Sequence, residues 1–224
     1  MPRDTLVEFD PPQTPRGDLV ERRYQPALWL HNSALAAIRI QANGRHADML
    51  AEARSWPETM ALWLTVPSRA FANPGLPTRL RGMLGGLALA PERVSLELPE
   101  AAASGVAHDG LLRLSALRDI GVGLILSEFG AAIASLQMLR RLPLTAIKLS
   151  PALVDGLPAD REDAGLAGAA ITAARSCGLA VIADGITSTA QSAWLAGEGC
   201  AVGLGPLLAK PMAAGQLHHW LRRS

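Results

Sequence analysis

The stretch "LSEFGAAIASLQMLRRLPLTAIKLS", residues 126–150, decides the fold. An apolar run ends on Ser127 and Glu128, a Phe-Gly turn follows, then a helical segment, a Leu-Pro break and a second apolar run ending on Lys148 and Ser150. Within the helical segment Ile133, Leu136 and Leu139 recur every three residues on one face. The pattern is strand, sharp turn, helix, strand, with polar groups at both strand ends.

Working outward, the same unit repeats. Strand 60–66 precedes a helical run at 76–89, "RVSLEL" (93–98) precedes "GLLRLSALRDIG", and "VGLILSE" (122–128) precedes "AAIASLQMLRRL". "TAIKLS" precedes "DREDAGLAGAAITAARSCG", "LAVIADG" precedes "TAQSAWLAGEG", and "AVGLG" precedes "MAAGQLHHWLRR". Upstream, "RYQPALWLH" and "ALAAIRIQA" read as two strands joined by a His-Asn-Ser turn, followed by one helix, "HADMLAEARSW". The strands are almost wholly apolar, as parallel strands covered on both faces are. Eight strands with outer helices predict an α/β fold of (β/α)8 barrel type, in a chain of 224 residues. A doubly wound open sheet is the alternative, because alternation alone does not separate the two. No strand is followed by a dinucleotide fingerprint or a phosphate-binding P-loop.

Composition narrows the classes. Hydrophobic residues make up 49% of the chain and aromatics only 4%, so Ala, Leu and Gly must fill the core. The net charge of +1 lacks the basic bias of a nucleic-acid binder. No apolar run reaches the roughly 18 residues of a membrane span. Residues 1–22 are polar and Pro-rich and read as a flexible arm ahead of a barrel domain over 23–224; a cytoplasmic location is expected. Cys177 and Cys200 read as free thiols, buried as small hydrophobes. The tryptophans are expected in the core, and His218 and His219 at a solvated helix end.

In a barrel, chemistry sits at the carboxyl ends of the strands. Those ends carry Arg39 and Gln41, Thr65, Glu97 and Glu100, Ser127 and Glu128, Lys148 and Ser150, then Asp184 and Leu204. Three of these acids, Glu97, Glu128 and Asp184, would converge with Lys148 there, enough to hold one hard cation weakly, or to form an ordinary solvated rim; spacing alone favours the rim.

These motifs resemble an EAL domain, the cyclic di-GMP phosphodiesterase family. "YQPALWL" resembles its opening Tyr-Gln-Pro strand, "VSLELPE" its Leu-Glu-x-Thr-Glu strand, and the 126–150 stretch its Asp-Asp-Phe-Gly loop through its Lys-Ile-Asp strand. "VIADGITSTAQSAWLAGEGCAVGLGPLLAKPM" resembles the closing segment. The resemblance implies a modified (β/α)8 barrel whose first strand runs antiparallel. It also implies a site that has lost its metal ligands. The family's signature Glu-Ala-Leu falls on Arg39, Ile40 and Gln41, and its phosphate-contacting Arg on Asn43. The metal-binding Asn falls on Thr65 and the metal-bridging Asp on Ser127. Glu97, Glu128 and Lys148 are kept in kind; Asp184 replaces a Glu, Ser150 an Asp, Thr187 a Glu and Leu204 a Gln.

The resemblance therefore implies a catalytically inactive regulatory protein, holding no metal or cofactor, that acts by binding another protein, with a homodimer as one form. The alternative is a non-hydrolysing cyclic di-GMP receptor, using a vestigial pocket of Gln25, Pro26, Arg39, Glu97, Glu128, Lys148 and Asp184. A third reading is an enzyme of changed chemistry built on Glu97, Glu128, Asp184 and Lys148. Residues 42–59 are also fewer than the family places there, which shortens the N-terminal units and predicts bare apolar wall on that flank. The loop after "SEFG" has Ala132 and Ile133 at family Gly and Tyr positions.

Overall fold

The computed structural model describes residues 23–41, 46–103, 106–131 and 136–222. The expected arm over 1–22, and Asn43, Ala132 and Ile133, lie outside them.

The hairpin at the start sets the architecture. Strand β1 (Arg23–Trp29) turns back into β2 (Leu35–Gln41) and pairs with it antiparallel. Within the His-Asn-Ser turn Asn32 Oδ1 accepts from the Ala34 amide at 2.9 Å, and Ser33 takes a left-handed φ of 59°. A short polar side chain that bonds its own turn suits such a reversal. The remaining strands run parallel: β3 (Ala61–Thr65), β4 (Val94–Pro99), β5 (Gly123–Phe129), β6 (Ala146–Leu149), β7 (Ala180–Ala183) and β8 (Val202–Gly203). β1 also pairs antiparallel with β8, through Leu28 opposite Gly203 and Trp29 opposite Val202. The sheet is thus a closed barrel in sequence order, with an antiparallel first strand. Closure excludes the open doubly wound sheet.

Helices follow the strands: α1 (His46–Glu52), α2 (Ser68–Ala72), α3 (Leu76–Gly86), α4 (Glu100–Ala103) and α5 (His108–Ile120) in the first half. The second half carries α6 (Leu136–Arg141), α7 (Pro151–Asp155), α8 (Arg161–Ser176), α9 (Thr189–Gly197) and α10 (Ala214–Leu221). The short α2, α4 and α7 are additions to the pattern expected from periodicity. α7 begins where Ser150 Oγ accepts from the Leu153 amide with Pro151 at the first helical position, a favoured helix start. Inside the barrel, small Ala27, Ala37 and Ala146 leave room for the Trp63 indole, with Ile125, Ile182, Val202 and Leu204 completing the plug. A larger apolar layer fills the space between strands and helices.

The flank expected to be bare is covered. α1 buries Met49 and Leu50 completely, and Ala53 and Trp56 continue the seal. Tyr24 and Trp56 meet edge to face at 5.5 Å between centroids, and Tyr24 donates to Glu52 at 2.5 Å. The Trp56 indole N–H donates to His218 Nε2 at 3.3 Å, tying this flank to α10. Among the described residues the large exposed hydrophobics are Trp29, Leu112, Leu166 and Leu207, none of them in 46–60. One short helix suffices because its inward residues are long and an indole closes the gap beside it.

Three smaller expectations change as well. Cys200 is buried, and burial pushes its thiol up to about 12, but Cys177 is exposed. Trp29 is not a core residue. His218 is exposed yet accepts the Trp56 bond.

His46, at the head of α1, is 1% exposed and its Nε2 bonds the Thr65 carbonyl at 2.8 Å. Burial lowers its pKa below the ordinary 6.5, outweighing the bond to Thr65, which raises it. Burial therefore favours the neutral form of His46.

Two outcomes test this flank. Leu50→Ala should cost about 2–5 kcal/mol in chemical denaturation, the range for a fully buried leucine. Because the folded pKa of His46 is depressed, its contribution is full above pH 6.5 and is lost as pH falls toward the folded value. Stability measured across that window should fall with acid, and His46→Gln should flatten that part of the profile.

Candidate functional site

At the carboxyl ends of the strands the barrel opens into a cavity of about 190 Å3. Arg39 and Gln41 reach it from β2, Thr65 from β3, Glu97 from β4, and Ser127 and Glu128 from β5. Lys148 comes from β6, and Asp184 follows β7. Strand alternation explains the set: Arg39 and Gln41 stand two apart on β2 and share its inner face. Parallel register places Thr65 beside Glu97.

The charges alternate around the cavity floor. Lys148 Nζ donates to Glu97 Oε1 at 2.8 Å and stands 3.3 Å from Asp184 Oδ2. Arg39 Nη1 donates to that same Asp184 oxygen. The Thr65 hydroxyl donates to Glu97 Oε2 at 3.0 Å. The Lys148 and Glu97 side chains are 5% and 4% exposed, and those of Arg39 and Asp184 11% and 16%. At such burial an unpaired charge is expensive, so each carboxylate is held by the cations beside it. Arg39 Nε is buried and has no hydrogen-bond partner among the described residues.

The "SEFG" turn forms the opposite wall. Pairing with β6 slips between Leu126 and Phe129, which makes a bulge. Ser127 is buried, whereas Glu128 is exposed with a φ of 60°. A non-glycine residue in that region costs on the order of 1 kcal/mol or more, so the surrounding turn must enforce it. It is enforced from two sides. Glu100 is 3% exposed and its Oε2 accepts from the Gly130 amide at 3.0 Å. Gly130 has a φ of 89°, and a Cβ there would lie 2.8 Å from Leu153 Cδ2.

Of the expected pocket residues, Arg39, Glu97, Glu128, Lys148 and Asp184 do line the cavity; Gln25 and Pro26 do not. Gln25 is buried and its amide donates to the Ala209 carbonyl at 3.0 Å. Pro26 is buried opposite Ile38, whose side chain belongs to the outer core. Antiparallel β1 thus spends both residues on packing. Ser150 caps α7, Leu204 is part of the barrel plug, and Thr187 is exposed with its hydroxyl on Gln191 at 3.0 Å. Glu97, Glu128 and Asp184 line the same cavity, but among the described residues no three His, Cys, Asp or Glu side chains are grouped to hold a metal ion. Pro99, Leu149 and Pro151 also line the cavity, and the His46 and Glu100 contacts went unforeseen. Glu100 had a signal, lying three residues beyond Glu97 at a strand end; His46 had none, since its partner is a backbone carbonyl distant in sequence.

Comparison with known proteins agrees with this geometry. The EAL domain family model matches residues 23–211. The bifunctional diguanylate cyclase/cyclic di-GMP phosphodiesterase MucR of Pseudomonas aeruginosa is 31% identical over 189 residues, 84% of this chain and 26% of that protein. The cyclic di-GMP phosphodiesterase NbdA of the same organism is 28% identical over 98% of this chain and 32% of its own length. The chain thus spans about a quarter to a third of these relatives. Among solved structures, the PaMucR phosphodiesterase in its c-di-GMP complex superposes with a TM-score of 0.82 at 25% identity, covering 88% of this chain and 94% of that one. The EAL domain of Mycobacterium smegmatis DcpA superposes at 0.85 with 22% identity, over 94% of this chain and 98% of that one, which speaks to fold alone. With the family model matched across the barrel and that barrel closed through an antiparallel first strand, the chain belongs to the EAL domain family.

Proposed function

We propose that this EAL domain does not hydrolyse cyclic di-GMP and instead regulates a cyclic di-GMP signalling process by binding another protein. The observation that carries the reading is the Arg39–Asp184 ion pair on the cavity floor. Two-metal hydrolysis uses anionic oxygens to hold two divalent cations about 3.5–4 Å apart and to generate a nucleophilic water. Here a permanently charged guanidinium and the Lys148 ammonium already neutralise Asp184 and Glu97. Glu128 remains, exposed at the rim, and Ser127 offers a hydroxyl where the family places a bridging carboxylate. The residues present do not fit a pair of divalent cations. A retained scaffold without a retained site supports a protein as the target, in the control of motility, adhesion or biofilm formation. The same reading takes the barrel domain to begin near residue 23 and to work in the cytoplasm. Among the described residues no helix is long and apolar enough to cross a membrane.

A second reading has its own observation. The buried Arg39 Nε has no partner among the described residues and leaves one guanidinium N–H on the cavity floor to donate to a phosphodiester oxygen. A non-hydrolysing cyclic di-GMP receptor would use it. PaMucR is solved as a c-di-GMP complex.

Incubation with cyclic di-GMP and Mg2+ or Mn2+, followed by chromatography, should yield no linear dinucleotide above a protein-free control. Turnover that disappears in Glu97→Ala would overturn the proposal. Calorimetric titration with and without Mg2+ separates the two readings, heat of binding without turnover favouring the receptor. The ion network also makes a stability prediction. Lys148→Met leaves Glu97 buried with only the Thr65 hydroxyl among its contacts described above, and should cost about 3–5 kcal/mol in urea denaturation.

A further inference from the structure

The mouth cavity carries one charge too many. Arg39 and Lys148 face three carboxylates there, Glu97, Asp184 and Glu128, so one negative charge is left over. The floor takes up both cations: Lys148 bonds Glu97 and lies beside Asp184, and Arg39 bonds Asp184. The excess therefore sits on Glu128. That side chain is exposed and makes no ion pair or hydrogen bond among the described residues.

Glu128 is also held in place. Its backbone stands at a φ of 60°, and two residues on the Gly130 amide donates to the buried Glu100 carboxylate at 3.0 Å. Beside it Ser127 is 4% exposed and lines the cavity, and its hydroxyl has no hydrogen-bond partner among the described residues. Gln41 brings a side-chain amide to the same space, and Pro99 and Pro151 supply apolar wall. The cavity, at about 190 Å3, falls short of the roughly 300–1,000 Å3 of small-molecule sites. Its size suits one side chain, and its excess charge and free oxygens suit a cationic one.

We propose that the mouth is a socket for a single arginine side chain presented by a partner protein, an inference that rests on the reading of this domain as a protein-binding one. A guanidinium fork matches the Glu128 carboxylate with two parallel hydrogen bonds, and its remaining N–H groups meet the Ser127 hydroxyl and the Gln41 carbonyl. The methylene stem lies along Pro99 and Pro151. Lysine offers a point charge without the fork and fits the spread of acceptors less well. The two floor cations set the depth: each is already bonded to a carboxylate, so the incoming head group stays beside Glu128 and does not displace them. Protein interfaces concentrate their energy in a few anchors seated in pockets, with arginine among the most frequent.

The test is titration of the full 15N-labelled chain with the capped tripeptide Gly-Arg-Gly and with its citrulline analogue, which keeps the shape and removes the charge. The readouts are the amides of residues 127–130 and the side-chain amide of Gln41. The arginine peptide should move them at millimolar concentration, and the citrulline peptide should bind roughly tenfold more weakly or worse, the scale of one lost charge-assisted contact. Glu128→Gln, at an exposed side chain, should abolish the response to the arginine peptide and leave the rest of the spectrum in place. No movement, equal movement with citrulline, or an undiminished response in Glu128→Gln would overturn the socket. So would movement of these resonances by cyclic di-GMP when the peptide moves none, which would assign the mouth to the nucleotide. Turnover is read separately by chromatography: a linear product sinks the non-catalytic reading, whereas a silent titration sinks the socket alone.

Discussion

Closure of the barrel rests on β1. This one strand pairs antiparallel with β2 on one side and β8 on the other, so its backbone groups join the first parallel strand to the last. Without it the sheet would present two open edges and the inner plug would lose part of its wall. The direction of β1 follows from the short turn at His31–Ser33, since a parallel partner requires a crossover of a dozen or so residues. The same reversal decides what β1 can contribute to the mouth. Its polar Gln25 is taken up by the Ala209 carbonyl, and Tyr24 is drawn into the seal formed with Glu52 and Trp56.

Closure also creates the electrostatic problem that the mouth residues solve. Strand ends in a barrel point their side chains at one another, and Arg39, Glu97, Lys148 and Asp184 are brought together largely out of water. Each buried charge carries a desolvation penalty of several kcal/mol, offset only where opposite charges and hydrogen bonds are well placed. The sequence around this floor alternates in sign: Glu97, Lys148, Asp184, Arg39. Such a ring is satisfied without any added cation, and removing a member leaves its neighbour stranded. The neighbouring bulge at Ser127–Glu128 holds Glu128 in a left-handed conformation, fixed by Glu100 and by the close approach of Gly130 to Leu153. An active-site-like scaffold therefore surrounds a floor whose charges are already paired.

The peripheral elements show how little chain is needed to seal such a barrel. α1 is seven residues long, yet with Trp56 it shields the β1–β3 side. Its first residue, His46, bonds the Thr65 carbonyl, and the Thr65 hydroxyl bonds Glu97, so the seal and the mouth are linked through two hydrogen bonds. Loss of α1 packing would disturb the end of β3 and the carboxylate that depends on it.

The strands, the longer helices, their order and the residues at the strand ends were legible in the linear sequence, because apolar runs and helical periodicity are local and a parallel barrel repeats them; the short α2, α4 and α7 carry too few residues to show a period. So was the presence of Arg39, Thr65 and Ser127 where the resemblance implies a Glu, an Asn and an Asp, since residue type at a motif position needs no coordinates. The closed barrel was expected from the eight strands and the resemblance, although alternation alone does not separate it from an open sheet; its closure depends on β1 meeting β8 across nearly the whole chain. Two things were not legible, for the same reason. The cover over residues 46–60 depends on Trp56 reaching His218, and the loss of Gln25 and Pro26 from the pocket depends on which face of an antiparallel strand meets which neighbour. The sequence by itself determined the elements and the chemical types at their ends. The tertiary structure alone decided which of those charges pair, because pairing is set by distances between strands that local sequence does not encode.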